Sequence, residues 1–438
     1  MHIYFSGIGG AGMAPLAMVA KQVGYKVSGS DKQTTQYLTY LKRQGITDTH
    51  IGQGRDQIEA VNAKNPIDWF VYSSAVAIDN PEAPELEFCR KAGIRISKRD
   101  ELLNQIIETT GLKLVAIAGT HGKTTTTAMV VWLFKQLDLP ISYLLPAKVS
   151  FGPMGSYTKE STYLIYEADE FDRNFLTFEP HLSLISGVSW DHHEIFKTRD
   201  DYKGAFRDFI SQSDRTILWQ EDFDYLELLG PTNLLVQDSA NHLIELVQLK
   251  GHYNRLDAWL AIEALHSLTR QPISQLMKLM NGFPGLQRRM EKIIENLYSD
   301  YAHTPEKIRG AMSVASEIAA ESGQRVIVVY EPLTDRRQHY MLDDYKDCFE
   351  GAAKVYWLPS YLAREDPNLP VLSPAELIAH LSNPSVAEPA KLGSDLKATI
   401  AKHLDGGDLV VCMAGGGGNS LDEWLRQEFG SSVLVNHD

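Results

Sequence analysis

Gly119-Thr120-His121-Gly122-Lys123-Thr124-Thr125 contains the residue types that hold a polyphosphate. The apolar run Leu114–Ala118 leads into it, and a helical pattern from Thr125 to about Leu137 leads out. Backbone N–H groups at a glycine turn that opens a helix present positive partial charge to phosphate oxygens. Lys123 supplies a cation for the β- and γ-phosphates of ATP, and the Thr124 hydroxyl a ligand for Mg²⁺. The full pattern has a glycine five residues before Gly122, where Ile117 stands, so the loop is a variant P-loop. The competing reading is a strand–turn–helix whose glycines only make the bend.

Other groups with chemistry follow and precede it. Glu167-Ala168-Asp169-Glu170-Phe171-Asp172 ends an apolar strand, where carboxylates reach Mg²⁺. A solvated acidic turn is the alternative. The next strand ends in Trp190-Asp191-His192-His193-Glu194, whose imidazole is a metal-ligand candidate against an ordinary surface histidine. The order strand–P-loop, strand–acid, strand–Asp-His favours the ligand reading of all three. Upstream, Gly7-Ile8-Gly9-Gly10-Ala11-Gly12 lies between a strand and a helix, and Asp31 ends the following strand. Such a turn admits a pyrophosphate at a helix N-terminus, and the carboxylate takes a ribose hydroxyl. By itself that pattern indicates a nicotinamide site. Beside a second phosphate loop it fits a nucleotide-diphosphate substrate, with ATP at the P-loop. Downstream, Asn254 is an adenine reader or a helix cap. Arg289 is a phosphate or ribose ligand or a surface arginine, and Asp300-Tyr301-Ala302-His303 is a strand-end site or a capped turn.

These groups need a scaffold of alternating strands and helices, and the sequence provides one. Strand-like runs at Ile3–Ser6, Lys26–Ser30, Trp69–Ser73, Tyr163–Glu167, Leu182–Ser186, Thr216–Trp219, Val326–Tyr330, Val355–Leu358 and Leu409–Met413 alternate with helical patterns such as Met13–Val23, Pro84–Ala92 and Asp257–Leu268. This predicts an α/β fold with mostly parallel sheets. The chain has 438 residues, too many for one ordinary core. The turn Gly282–Leu286 reads as a boundary. A formal charge of −14 without a basic block argues against nucleic-acid binding. No apolar run reaches membrane-spanning length and no secretory signal is visible, so no membrane association and a cytoplasmic location are expected. Cys89, Cys348 and Cys412 are scattered and do not read as a metal cluster or disulfide framework.

Taken together, the motifs resemble the Mur ligase family of peptidoglycan precursor enzymes. The family's A-G-T-H/N-G-K-T-T pattern is met at Ala118–Thr125, E-A-D-E-x-D at Glu167–Asp172, D-H at Asp191-His192 and D-Y-A-H-x-P at Asp300–Pro305. The resemblance implies an ATP-dependent ligase that joins an amino acid to the lactyl carboxylate of UDP-N-acetylmuramate through an acyl phosphate. It implies three domains. Residues 1–108 would be Rossmann-like and bind the UDP-sugar. Residues 109–290 would be the P-loop ATPase-like domain, and 291–438 a Rossmann-like closing domain. Lys123, Glu167 and His192 are the implied catalytic residues, and Thr124, Glu167 and His192 the implied Mg²⁺ ligands. ATP would meet Gly119, Thr120, His121, Gly122, Lys123, Thr124, Thr125, Asn254, Arg289 and Asp300. The sugar nucleotide would meet Gly9, Gly10, Ala11, Gly12, Asp31, Ser73 and Ser74, and the acceptor Tyr301, His303 and Arg337.

The N-terminal glycine pattern, Ser28–Asp31 and Ser73-Ser74-Ala75 with Asn80-Pro81-Glu82 resemble the branch of the family that adds L-alanine. Phe206 stands where other branches carry a modified lysine. Gly187, Tyr253 and Asp257 replace family residues, and in Pro332–Arg337 only the last arginine of that branch's segment is kept. The resemblance implies L-alanine as the incoming amine, with another amino acid or, as in the recycling branch, a tripeptide as the alternatives. Oligomeric state is not fixed by the sequence. A non-catalytic protein on the same scaffold would also account for the altered acceptor segment.

Overall fold

All five side chains of His2-Ile-Tyr-Phe-Ser6 are buried, as a parallel strand covered on both faces requires. This strand, β1 (His2–Ser6), centres a parallel sheet with β2 (Lys26–Asp31), β3 (Thr49–Ile51), β4 (Trp69–Tyr72) and β5 (Arg95–Lys98), in the order β3-β2-β1-β4-β5. The chain reverses direction of build between β1 and β4, which leaves a crevice at their C-terminal ends, where such sheets bind ligands. The glycine turn after β1 and the start of the helix Met13–Val23 lie at that edge. The computed structural model describes residues 1–73, 76, 82–192, 195–230, 233–362, 365, 368–416 and 419–430.

A second sheet contains β6 (Lys113–Ala118), β7 (Ser142–Leu144), β8 (Gly155–Ser156), β9 (Tyr163–Glu167), β10 (Leu182–Ile185), β11 (Thr216–Trp219) and β12 (Leu234–Gln237). Its order is β12-β11-β10-β6-β9-β7-β8, and only β8 runs antiparallel. The neighbours of β6 are thus β10 and β9, so the P-loop, the acidic turn and the Asp-His turn leave three adjacent strand ends. The helix after the loop spans Lys123–Gln136 and starts two residues earlier than its pattern predicts, because Gly122 takes a left-handed φ of 73° and turns the chain at once into the helix. Leu102, Leu103 and Ile106 of the helix Arg99–Thr110 join the core under the first sheet to that under the second.

A third sheet has β13 (Glu291–Ile294), β14 (Leu297–Asp300), β15 (Val326–Glu331), β16 (Ala352–Trp357), β17 (Ala387–Pro389) and β18 (Leu409–Ala414), in the order β13-β14-β18-β15-β16-β17. Only β13 is antiparallel. Its two faces carry separate cores, one under the helix Pro305–Ser322 and one under Ser394–Asp405 and Leu421–Phe429. The fold is α/β with three mostly parallel sheets. By compactness the chain forms two units. One holds Met1–Val247 with Leu256–Pro284; the other holds Gln248–Arg255 and the chain from Gly285. The three cysteines are buried and free. Among the described residues no helix is long and apolar enough to cross a membrane.

Candidate active site

β6 ends in a turn that must pass close to its neighbour. Gly119 has a φ of 143°, and a Cβ there would stand 3.0 Å from the Gly187 carbonyl oxygen. Only glycine fits both the backbone conformation and the space. Lys123, first in the helix, folds back: its Nζ donates to the Gly119 carbonyl at 2.6 Å and to Glu170 Oε2 at 2.7 Å. Burial alone would lower the Lys123 pKa, but Glu170, Asp169 and Glu167 outweigh it and keep the ammonium above the ordinary lysine value. Burial likewise pushes Glu170 up, and Lys123 with His192 more than offsets this, holding it at about 2. The pair is therefore charged across the neutral range. Thr124 and Thr125 are half-buried on the first turn. Thr120 donates its N–H to Gly187 and its hydroxyl to the Ser189 carbonyl, each at 2.7 Å, and His121 Nε2 lies 2.9 Å from Ser189 Oγ.

The acidic run splits by position. Glu167 is the last residue of β9, paired with Ile117 of β6. Beyond it the chain turns sharply, with Asp172 and Arg173 at a φ of 55°. Between the strand end and that bend, Asp169 and Glu170 meet His192, and the three offer ligand atoms within 4.8 Å of one another. His192 also has a left-handed backbone, φ 53°, its N–H bonded to Asp191 Oδ1 at 2.7 Å. Strained non-glycine residues of this kind concentrate at functional sites. Tyr202, fully buried, sets its hydroxyl 2.8 Å from Thr120 Oγ1 and 3.5 Å from Glu170 Oε1. His193 and Glu194 lie outside the described residues.

The glycine turn after β1 is held from below. Gly9 N–H donates to Asp31 Oδ2 at 2.8 Å, and Thr35 Oγ1 donates to the Gly9 carbonyl at 3.0 Å. Asp31 is thus committed to the turn itself. Gly10 N–H bonds to Gly7, and Ser73, after β4, borders Gly7. Gly9, Gly10, Ala11, Gly12, Asp31 and Ser73 therefore share one strand-end crevice; Ser74 lies outside the described residues. The Arg99 guanidinium occupies the space a side chain at Gly12 would need, and its Nη2 lies 3.5 Å from Asp169 Oδ2. Arg99 thus stands between the glycine turn and the acidic turn. Asp257 packs against Gly122.

The second unit gathers Arg289, Asp300, Tyr301, His303 and Arg337. Asp300 Oδ2 accepts the Met290 N–H and Oδ1 the Ala302 N–H, both at 2.8 Å. The Arg288 and Arg289 guanidinium carbons lie 4.4 and 5.3 Å from the centre of the Tyr301 ring. His303 Nδ1 lies 2.7 Å from the Tyr301 carbonyl. Burial, then Lys307, and then Arg337 and Arg289 despite that bond, hold His303 far below the ordinary histidine value, so it is neutral. Asn254 donates to the Lys250 carbonyl at 2.7 Å, four residues back.

Sequence reasoning missed Arg99, Asp169, Glu170 and Tyr202. Asp169 and Glu170 lay inside a run already singled out, whereas Arg99 and Tyr202 sit in no motif. Residues 2–110 match the family model described as "Mur ligase family, catalytic domain", 117–229 "Mur ligase middle domain" and 288–416 "Mur ligase, glutamate ligase domain". The UDP-N-acetylmuramate–L-alanine ligase of Rickettsia bellii is 28% identical, covering 98% of this chain and 96% of its own. That of Rickettsia prowazekii is 27% identical, covering 100% and 95%. Among solved structures, the UDP-N-acetylmuramate-alanine ligase MurC of Thermotoga maritima superposes with a TM-score of 0.76 at 22% identity over 98% of each chain. A murein peptide ligase of Psychrobacter arcticus does so with 0.66 at 20% identity over 99% of each.

Proposed function

The chain belongs to the Mur ligase family, and we propose that it couples ATP cleavage to amide formation between L-alanine and the lactyl carboxylate of UDP-N-acetylmuramate. As a member of that family it is an ATP-dependent ligase. The observation that carries the reading is the Lys123–Glu170 pair with Asp169 and His192, set beside a second phosphate-type turn that Arg99 borders. A carboxylate is a poor electrophile, and phosphorylation gives it a leaving group. The lactyl carboxylate attacks the γ-phosphorus and ADP leaves; the neutral amine attacks the resulting acyl phosphate, and the tetrahedral intermediate loses phosphate and one amine proton to give the amide.

The protein's share is positioning and charge stabilisation. Lys123 exchanges Glu170 for the β/γ-phosphate oxygens, while the amides of Gly119–Thr125 cradle them. Gly9–Gly12, Ser73 and Ser74 hold the UDP moiety, Asp31 serves it through the Gly9 turn that it braces, and Arg99 faces the charge that develops between the two turns. Asn254, Arg289 and Asp300 serve ATP, and Tyr301, His303 and Arg337 the amine. Residues 1–108, 109–290 and 291–438 carry these three tasks. Mg²⁺ fits the hard oxygen donors of Asp169 and Glu170 with His192, while Thr124 stands on the first turn of the helix after the P-loop and Glu167 at the end of β9. When bound it would neutralise phosphate charge.

The test is ADP release from ATP, UDP-N-acetylmuramate and Mg²⁺ with a panel of L-amino acids plus a muramyl-type tripeptide, repeated with chelator. Turnover with L-alanine, abolished by chelator, is expected. The altered segment Pro332–Arg337 favours the tripeptide as the second reading, and preferential turnover of that arm would establish it. No ADP release with any amine would defeat the proposal.

A further inference from the structure

We propose that Asp222 is a positioning residue for the nucleotide loop: its carboxylate fixes the turn Ser186–Ser189, and that turn fixes Thr120 and His121. The inference rests on the ATP-dependent reading above. Asp222 lies in the first turn of the short helix Gln220–Tyr225 after β11, two strands from the P-loop strand. It is 6% exposed, and its Oδ1 accepts the Val188 N–H at 2.8 Å. Its Oδ2 is buried and has no hydrogen-bond partner among the described residues.

Val188 sits within that turn, whose other residues bond to the P-loop. Gly187 O takes the Thr120 N–H at 2.7 Å, and the Ser189 carbonyl takes the Thr120 hydroxyl at 2.7 Å. Ser189 N–H returns a bond to Thr120 Oγ1 at 2.9 Å, Ser189 Oγ meets His121 Nε2, and Ser186 Oγ donates to the His121 carbonyl. The turn therefore sets both the height and the tilt of the first half of the P-loop. Gly187 gives it no internal stiffness: its φ is 140° and nothing stands within 4 Å of where a Cβ would be. The Ser186 N–H, bonded to the Ala118 carbonyl at 3.0 Å, holds the start of the turn to β6, and the Asp222–Val188 bond ties its middle to the helix behind it. A buried carboxylate with one N–H partner is costly to keep. Burial, partly opposed by that N–H, pushes its carboxyl up to about 7. A structural requirement for one acceptor atom accounts for its presence.

The test measures steady-state kinetics with ATP and UDP-N-acetylmuramate varied separately. Wild-type turnover is established first; its absence defeats the underlying reading, not this one. Asp222→Leu removes the acceptor at similar volume and should raise KM for ATP about tenfold or more, leaving KM for the sugar nucleotide within about twofold. Asp222→Asn keeps the oxygen acceptor and should restore KM for ATP to within about threefold of wild type. If Asp222→Leu gives no soluble protein, Asp222→Glu displaces the acceptor by one carbon and carries the same expectation. Unchanged KM for ATP in the variant that folds, an equal rise in both KM values, or failure of Asp222→Asn to restore ATP binding would each overturn the proposal.

Discussion

Lys123→Met separates the structural from the chemical work of the nucleotide site. The substitution keeps side-chain length and deletes the ammonium. Glu170, whose side chain is 1% exposed, then loses its bond at 2.7 Å and retains His192 at 3.6 Å and the Tyr202 hydroxyl at 3.5 Å. The fall of Glu170 from an ordinary 4.5 to about 2, against the upward push of burial, comes first from Lys123 and then from His192. A gap of this size corresponds to on the order of 3 kcal/mol. Orphaning one member of a buried ion pair costs ~3–5 kcal/mol. The variant should therefore unfold about 3 kcal/mol more easily by urea titration at pH 7. Because the folded pKa is depressed, this contribution is present above pH 4.5 and lost as pH falls through about 2. The stability gap between wild type and variant should close over that window.

Turnover should fall about 10²–10³-fold or more, since a preorganised charge on the transferring phosphoryl group is gone. Adding Glu170→Gln to Lys123→Met removes the orphaned carboxylate. The double variant should regain most of the stability and none of the turnover. ADP release coupled to a spectrophotometric assay, beside the urea titrations, reads both quantities. Ligation within about tenfold of wild type for Lys123→Met would refute the phosphate role. A double variant less stable than the single would refute the pairing argument.

Gly119→Ala places a methyl group against the Gly187 carbonyl at a φ of 143°, and should raise KM for ATP at least about tenfold with the sugar-nucleotide KM unmoved; equal kinetics would show that the loop does not need this approach. Asp31→Ala deletes the acceptor for Gly9 N–H and should weaken UDP-N-acetylmuramate binding about tenfold by calorimetry, with nucleotide binding intact; unchanged affinity would remove Asp31 from that site. Glu331, buried and accepting the Leu421 N–H, is pushed by burial from 4.5 to about 7. Its contribution is fully present below pH 4.5 and lost as pH rises through about 7. Glu331→Gln, which keeps the acceptor, should match wild type in acid and exceed it by up to about 3 kcal/mol at pH 8; a variant less stable at pH 8 would contradict the sign.

The alternation of elements, the two glycine turns and the acidic run were legible in the sequence because each is built from near neighbours and a local backbone requirement. Gly119 and Lys123 can be read together because the lysine reaches back four residues to the carbonyl it touches. Partners far apart in the chain carry no such signature. That Lys123 meets Glu170, forty-seven residues on, depends on β9, which ends just before Glu170, lying next to β6. That His192 joins Asp169 depends on β10 and β9 flanking β6. Arg99 reaches Gly12 and Asp169 because the helix it starts belongs to the core under both sheets, and Asp222 reaches Val188 from the next strand's helix. By itself, then, the sequence determined which groups could grip phosphate. Only the tertiary structure decided which charges face them, because strand order and sheet registry, not spacing along the chain, set the distances at which charges act.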